Sequence, residues 1–306
     1  MIKKYIVAVD LGGTNLKVAL LDLNYNFEDR EILNTRTFKE KEDLTIGIVH
    51  SINRFIKYNN LSKVEILGVG LGLPGPVNAK SGVVHFFPNI PGWKEVKFRD
   101  ILRTKLGLPV SIDNDAKLMA LAESKLGAAR GYHNVLCMTI GTGIGGGIII
   151  NGKLFRGFNN AAGEVGHLPI NENGAYCNCG SSGCLEAYIS NRKIINLARK
   201  SFGCNITLEE LSKLAAKGNR MAKDIWCKTG SHLGFALAGV VNLLNLDAIV
   251  IGGGVANAGK PLFDSIQGAL KEQAMSVQGS HVKIFKAKFG DEAGLIGAAI
   301  LAKESV

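Results

Sequence analysis

No apolar run in this chain is long enough to cross a bilayer. The longest, residues 135–150, is broken by threonine and five glycines, and a spanning helix needs about 20 apolar residues. A secretory signal is also missing, because Asp10 interrupts the apolar stretch that follows Lys3 and Lys4 after only five residues. The expectation is a cytoplasmic protein with no membrane partner. The 38 glycines follow no G-X-Y period, which excludes collagen. No Gly-Lys-Ser/Thr follows a suitable glycine, so there is no Walker A loop. No proline- or serine-rich linker marks a domain boundary.

What is present is a chain of 306 residues, 46% hydrophobic and 20% charged, which excludes intrinsic disorder. Its length suggests roughly two domains at about 150 residues each. It can bury about three quarters of its unfolded surface without help from disulfides. Six cysteines outside a secretory context point to reduced thiols or metal. Lys and Arg total 36 against 26 Asp and Glu, and the resulting +10 suits an anionic substrate such as a nucleotide, or nucleic acid. The densest basic stretch, 192–223, has eight Lys/Arg set among Ile, Leu and Ala at helical spacing. That spacing reads as solvated helix faces, so no nucleic-acid partner is expected.

Strand and helix patterns alternate along the chain, which gives an α/β fold. Residues 5–9 and 16–23 read as strands around the turn Asp10-Leu11-Gly12-Gly13-Thr14, with a third strand at 31–38 and a helix at 44–58. A strand at 64–71 runs into Gly72-Leu73-Pro74-Gly75-Pro76. A helix at 98–106 and a strand at 110–112 lead to Asp113-Asn114-Asp115 and a helix at 116–126. The pattern then repeats, with a strand at 135–140, a turn over 141–147 and a strand at 148–150. An irregular Gly- and Cys-rich segment fills 157–184, and helices follow to about residue 244. A strand at 248–251 enters Gly252-Gly253-Gly254, and a helix, a strand at 282–287 and a helix from Glu292 complete the pattern. Two glycine-turn hairpins suggest a duplicated unit facing a cleft. The expected lobes are 1–115, completed by a C-terminal helix at about 292–306, and 116–291.

Glycine-rich turns let backbone N–H groups point inward and phosphate oxygens approach closely. Thr14 and Thr142 add hydroxyls, and Asp10, at a strand end, is placed to hold Mg²⁺ directly or through water. Gly141, Gly143 and Gly146 match G-x-G-x-x-G formally, but a strand follows where a Rossmann site requires a helix. Gly252-Gly253-Gly254 is a third place where backbone can pass close to a flat ligand such as adenine. Cys177-x-Cys179-Gly180-x-x-x-Cys184, with His167 ten residues upstream, supplies a Cys₃His set. Four protein ligands leave no open position for activated water, so the zinc is expected to be structural. The alternative is three free thiols in a loop. Cys137, Cys204 and Cys227 read as small core hydrophobes.

Glu164 and Glu186 flank the cluster and suit sugar hydroxyls, as do Asn89 and Asn114, although each also suits a turn or cap. Asp115 follows a buried strand at an expected cleft edge. Phosphoryl transfer needs an acid to orient the nucleophile, and an unperturbed Asp is ionised at pH 7. A helix N-cap is the plainer role for it.

Taken together these motifs resemble the ROK family (repressor, open reading frame, kinase) of the actin-like ATPase superfamily, over nearly the whole chain. The most specific part is Glu164-x-x-His167 followed by Cys177-x-Cys179-Gly180-x-x-Gly183-Cys184-x-Glu186. Asp10-x-Gly12-Gly13-Thr14, Gly141-Thr142-Gly143-x-Gly145-Gly146-Gly147, Leu73-Pro74-Gly75-Pro76, Asn89-x-Pro91-Gly92-Trp93 and Asp113-Asn114-Asp115-Ala116 also match. The resemblance implies a two-lobed, ribonuclease H-like fold with duplicated mixed-sheet domains and a zinc-binding loop. It implies a hexose kinase using ATP, Mg²⁺ and structural Zn²⁺, glucokinase first. Kinases of N-acetylmannosamine, N-acetylglucosamine or fructose share nearly all the motifs. Asp115 would be the base at the sugar 6-hydroxyl, and Gly75, Asn89, Asn114, Glu164, His167 and Glu186 would contact the sugar. Asp10, Gly12, Gly13, Thr14, Gly141, Thr142, Gly143, Gly253 and Gly254 would bind the nucleotide, and His167, Cys177, Cys179 and Cys184 the zinc. A homodimer or homotetramer is expected. The family usually has Asn where this chain has Lys117, which bears on sugar preference more than on catalysis. Family repressors carry a DNA-binding domain ahead of the sugar domain, and a first phosphate turn at Asp10 leaves no room for one.

Overall fold

Both apolar stretches that flank glycine turns fold as antiparallel hairpins, and each hairpin nucleates a five-stranded mixed sheet. The computed structural model describes residues 4–35, 38, 40–87 and 92–306. Unit 1 comprises Met1–Ala122, Arg156–Ala162 and Asp291–Val306; unit 2 comprises Glu123–Phe155 and Gly163–Gly290.

Unit 1 holds β1 (Tyr5–Leu11), β2 (Asn15–Asp22), β3 (Phe27–Asn34), α1 (Lys41–Tyr58), β4 (Ile66–Leu73), the short hairpin β5 (Val77–Asn78) and β6 (Val83–Val84), α2 (Phe98–Leu106), β7 (Val110–Asn114) and α3 (Asp115–Lys125). The sheet order is β3-β2-β1-β4-β7, antiparallel at β1–β2–β3 and parallel at β1–β4–β7. One face of the sheet carries α1 and α2, whose Leu44, Ile48, Ile52, Phe98 and Leu102 join Val7, Val9 and Leu71 in the core. The C-terminal helix, Ala293–Glu304, packs against β1, β4 and β7.

That contact is made by small residues. A Cβ on Gly70 would overlap the carbonyl oxygen of Ala298, and one on Gly297 would overlap that of Leu118. Neither neighbour is a flexible side-chain end, so relief requires backbone movement. Gly297→Ala is therefore expected to destabilise unit 1 by about 2–3 kcal/mol, as overpacked cores do. Calorimetry reads the result, and an unchanged melting temperature contradicts this packing.

Unit 2 repeats the design with β8 (Val135–Ile140), β9 (Ile144–Ile150), β10 (Lys153–Phe155), β11 (Ala248–Gly252) and β12 (Lys283–Lys286), ordered β10-β9-β8-β11-β12. Its helices are α4 (Glu186–Ile189), α5 (Asn191–Phe202), α6 (Leu208–Ala216), α7 (Arg220–Leu244), α8 (Lys260–Gln273) and α9 (Ser276–His281). The core centres on Trp226, Leu233, Leu237, Ile249 and Ile266. Among the described residues no helix is long and apolar enough to cross a membrane.

Three elements differ from the sequence reading. The third strand is Phe27–Asn34, four residues earlier than expected. Asp22 closes the preceding turn by accepting the backbone N–H groups of Asn24 and Asn26, both at 2.8 Å, so pairing resumes at Phe27. The strand lies on a sheet edge and carries four consecutive charged residues, Glu28 to Glu31, which hides it from a search for apolar runs. Next, Gly145, Gly146 and Gly147 are not turn residues, because they pair with Thr139, Met138 and Cys137 inside the β8–β9 ladder. Gly146 is small because the carbonyl of Gly163 lies where its Cβ would be, at 2.5 Å. Last, the units divide between Ala122 and Glu123 rather than at Asp115. Asp115 opens a helix whose Leu118 packs on Gly297, which keeps the start of α3 in unit 1.

Candidate active site

The C-terminal ends of parallel strands collect the loops of an α/β sheet and are where such folds place ligands. In unit 1 this end presents Asp10 from β1, Gly72 from β4 and Asp115 at the junction of β7 and α3. Gly72 keeps the space between the two acids open. A Cβ there would stand 3.4 Å from Asp10 Oδ1 and 3.7 Å from Asp115 Cα. Gly294 of the C-terminal helix does the same from the other side, since its Cβ would be 2.5 Å from Asp10 Cγ.

Asn114 takes the capping role that the sequence offered to Asp115. Its Oδ1 accepts the N–H groups of Ala116 at 3.1 Å and Lys117 at 3.2 Å. Its Nδ2 donates to the Gly75 carbonyl at 3.1 Å and to Asp115 Oδ1 at 3.0 Å. Asp115 Oδ1 also accepts the Ala116 N–H at 2.8 Å. Among the described residues Asp115 Oδ2 has no hydrogen-bond partner, which leaves one oxygen for a hydroxyl. Gly75, at φ 80°, adopts a backbone that favours glycine.

Asp115 is not the unperturbed acid assumed from sequence. Burial, reinforced by the negative charge of Asp10, raises it to about 7, against opposing hydrogen bonds from Ala116 and Asn114. Burial raises Asp10 to about 6, with Lys17 opposing and Asp291 adding to the shift. A carboxyl near 7 is matched to proton acceptance at neutral pH.

The first glycine turn is pinned from below. Gly12 N–H donates to the Asn15 carbonyl at 2.8 Å, the Thr14 carbonyl accepts from Thr35 N–H at 2.8 Å, and the buried Thr35 hydroxyl donates to the Gly12 carbonyl at 3.1 Å. Gly13 and Thr14 are exposed at the tip. Lys117 is buried, and its ammonium donates to the Asn160 carbonyl. Arg156 Nε lies 2.8 Å from Oδ2 of the fully buried Asp113. These two contacts hold segment Arg156–Ala162 in unit 1, and nothing in the sequence pattern announced them.

In unit 2, Gly141 N–H closes a short turn onto the Gly143 carbonyl at 2.9 Å and leaves Thr142 exposed. Glu186, at the start of α4, reaches this turn. Its Oε2 accepts the Ile144 N–H at 2.7 Å and lies 2.7 Å from where a Gly143 Cβ would be. The sequence suggested a sugar contact for Glu186, whereas the structure also makes it the brace of the second glycine turn. A cavity of about 170 Å³ beside the turn is lined by Thr142, Glu186, Arg192 and Lys193, and the two cations there were missed from sequence. Gly253, at φ 79°, passes so close to β8 that a Cβ would meet the Ile140 carbonyl, and Gly254 faces Asn191.

The zinc candidates converge. The ligand atoms of His167, Cys177, Cys179 and Cys184 all lie within 4.8 Å of one another. Cys177 Sγ is 3.7 Å from His167 Nδ1, and Cys179 Sγ is 3.7 Å from Cys184 Sγ. With bonds of about 2.1–2.3 Å, the edges of a tetrahedral zinc site measure about 3.6–3.8 Å. The donor set therefore fits zinc, and the sulfurs are too far apart for a disulfide. The loop is closed by backbone bonds from Cys177 N–H to the Ser181 carbonyl and from Gly183 N–H to the Ala175 carbonyl, both 2.8 Å. A side chain at Gly183, φ 76°, would overlap the Asn171 carbonyl. Glu164 is exposed just before the 3₁₀ turn Val165–His167. Asn89 lies outside the described residues.

The sequence pattern of the ROK family matches residues 6–305. The chain is 35% identical to a glucokinase of Halalkalibacterium halodurans, over 99% of this chain and 96% of that protein. A ROK family glucokinase from Streptomyces griseus, solved with glucose and AMPPNP, superposes with TM-score 0.81 at 31% identity, covering 98% of this chain and 99% of that one. A ROK family transcriptional regulator, a homologue of the Escherichia coli Mlc protein, superposes with TM-score 0.90 at 29% identity, covering 98% of this chain and 78% of that one. The paired five-stranded mixed sheets are consistent with the actin-like ATPase fold. With the family pattern running almost from end to end, this chain belongs to the ROK family.

Proposed function

We propose that this protein is an ATP-dependent hexose kinase, glucokinase in the first place, acting on the sugar 6-hydroxyl in the cytoplasm. The observation that carries the reading is Asp115, with one carboxylate oxygen unpartnered among the described residues and its pKa raised to about 7. Asp115 Oδ2 accepts the hydroxyl proton as the sugar oxygen bonds to the γ-phosphorus, and the bond from that phosphorus to the β–γ bridging oxygen breaks to release ADP. Asn114 holds the other oxygen of Asp115 in place. Exposed Thr14 and Thr142 and the glycines beside them receive the phosphates, and Gly253 and Gly254 give backbone access to the base. Asp10 would hold Mg²⁺, which neutralises phosphate charge when bound. The His167, Cys177, Cys179 and Cys184 set would hold structural Zn²⁺. His167 then binds metal through Nδ1 and keeps Nε2 for the sugar, beside Glu164 and Glu186. Gly75 and Asn89 are further sugar contacts. Assembly as a homodimer or homotetramer belongs to the same reading.

The likeness to a ROK family transcriptional regulator supports a second reading, a sugar-responsive repressor, and one assay separates the two. ADP release measured over a panel of hexoses, including fructose and N-acetylated sugars, is expected to depend on sugar and to be fastest with glucose. Sugar binding without ADP release favours the regulator. The pH profile is also set by the site. For free enzyme and free sugar, kcat/KM is expected to rise with pH through a limb centred near 7, where Asp115 gives up its proton. A profile flat from pH 5 to 9 would contradict the raised pKa of Asp115, since an ordinary Asp titrates at about 4 and stays ionised across that range.

A further inference from the structure

We propose that unit 1 carries a binding site for a phosphate group, either inorganic phosphate or a small phosphate monoester, apart from the carboxylate pair. The site is a cavity of about 300 Å³ lined by Lys80, Arg99, Arg103, Arg156, Ser111 and Ser305, with Ile112 and Leu301 as its apolar wall. All of these residues belong to unit 1.

The cations are held in place by the protein. Arg99 and Arg103 lie one turn apart on α2. Arg103 Nε donates to the Val110 carbonyl at 3.1 Å, and Arg156 Nε to Asp113 Oδ2 at 2.8 Å. Arg99 Nη1 donates to the Lys80 carbonyl at 3.0 Å and its Nε to Asp100 Oδ1 at 3.2 Å. Each arginine is thus anchored by Nε, which leaves terminal N–H groups for a ligand. Gly82, at φ 73°, is part of this construction: a Cβ there would stand 2.6 Å from Arg99 Nε, so only glycine lets the guanidinium lie against the turn.

The charge balance selects a dianion. Asp113 pairs with Arg156 and Asp100 with Arg99. Among the described residues Arg103 and Lys80 have no acidic partner, so two positive charges face the cavity uncompensated. Planar guanidinium forks beside an ammonium and the Ser111 hydroxyl suit a tetrahedral, doubly charged oxyanion better than a carboxylate. The volume is at the small end of ligand pockets, which suits a small anion.

The Ser305 side of the cavity lies away from Asp10. Gly294 approaches Asp10 at one end of the C-terminal helix, whereas Ser305 lies just beyond the other end. Eleven residues of helix separate them, or about 16 Å at 1.5 Å per residue.

Equilibrium dialysis of the full chain at constant ionic strength tests the proposal, with inorganic phosphate in one arm and glycerol 3-phosphate in the other. The expected result is saturable binding weakened at least about ten-fold in Lys80→Gln and in Arg103→Gln, as loss of a charge-assisted contact gives. Tighter binding in the first arm identifies free phosphate as the ligand, and tighter binding in the second a phosphorylated metabolite. Lys80→Gln removes an ammonium with no hydrogen-bond or ion-pair partner among the described residues, so its folding is not at risk. Affinity unchanged in both variants assigns bound phosphate to the glycine turns and overturns the proposal. So does the absence of saturable binding by the wild type at millimolar concentrations of either probe.

Discussion

Asp115→Asn is expected to lower kcat for sugar phosphorylation by at least about a thousand-fold, equivalent to about 4 kcal/mol of transition-state stabilisation. Sugar affinity should change by less than about three-fold, because the amide oxygen still accepts from Ala116 and Asn114. The same substitution should make the unliganded protein more stable at pH 8. Asp115 and Asp10 are raised to about 7 and about 6 in the fold, against 3.8 for the ordinary side chain. The folded state therefore holds protons that the unfolded state releases. Stability from these groups is complete below about pH 4 and is lost as pH rises through 6 and 7. Replacing one of two half-buried like charges by a neutral isostere removes that loss, a gain on the order of 2 kcal/mol at pH 8 and near zero at pH 4. Calorimetry at the two pH values, with initial rates on the same preparations, tests both halves. Near-normal turnover removes Asp115 from the chemistry, and an equal shift in stability at both pH values contradicts the raised carboxylate pair.

Loss of metal is expected to have the second large effect. Wild-type protein should contain about one zinc per chain, and Cys179→Ser should bring that toward zero, because four donors are needed to close a tetrahedron. Cys179 is exposed, so the substitution leaves no cavity. Burial pushes the Cys184 thiol up to about 12, so Cys184 is neutral in the absence of a cation and gains its full donor strength only with one. The consequence should extend to the phosphate turn, since Glu186 lies two residues after Cys184 and accepts the Ile144 N–H. KM for both sugar and nucleotide is therefore expected to rise at least about ten-fold, with a smaller change in kcat. Mass spectrometry under native conditions and initial rates provide the measurements. Zinc-free wild-type protein with full activity contradicts the metal assignment.

The sequence was informative wherever function rests on local chemistry. The two hairpin turns, the Cys₃His spacing and the run Asp113-Asn114-Asp115 are contiguous motifs, and the structure places them at strand ends and in a closed loop. It was less informative where contacts are distant in sequence. Arg156 and Asp113 are 43 residues apart, as are Lys117 and Asn160, and no periodicity marks such pairs. The raised pKa of Asp115 depends on Asp10, more than a hundred positions away. Gly145 to Gly147 were misassigned because glycine in a strand looks like glycine in a turn until its partner is known. Gly70 and Gly297 likewise look unremarkable until the helix that touches them is placed.

The late position of the helix at Ala293–Glu304 sets an order of events on the ribosome. Its Leu295, Ile296, Ala298 and Ile300 are buried in the fold, yet they are translated after every strand of both sheets. Nascent domains usually mature from the N-terminus onward. Here the first sheet to be translated waits with one face uncovered while the second completes its own layers. A chaperone that shields exposed β-structure should therefore engage the nascent chain during that interval and release it once the final helix docks.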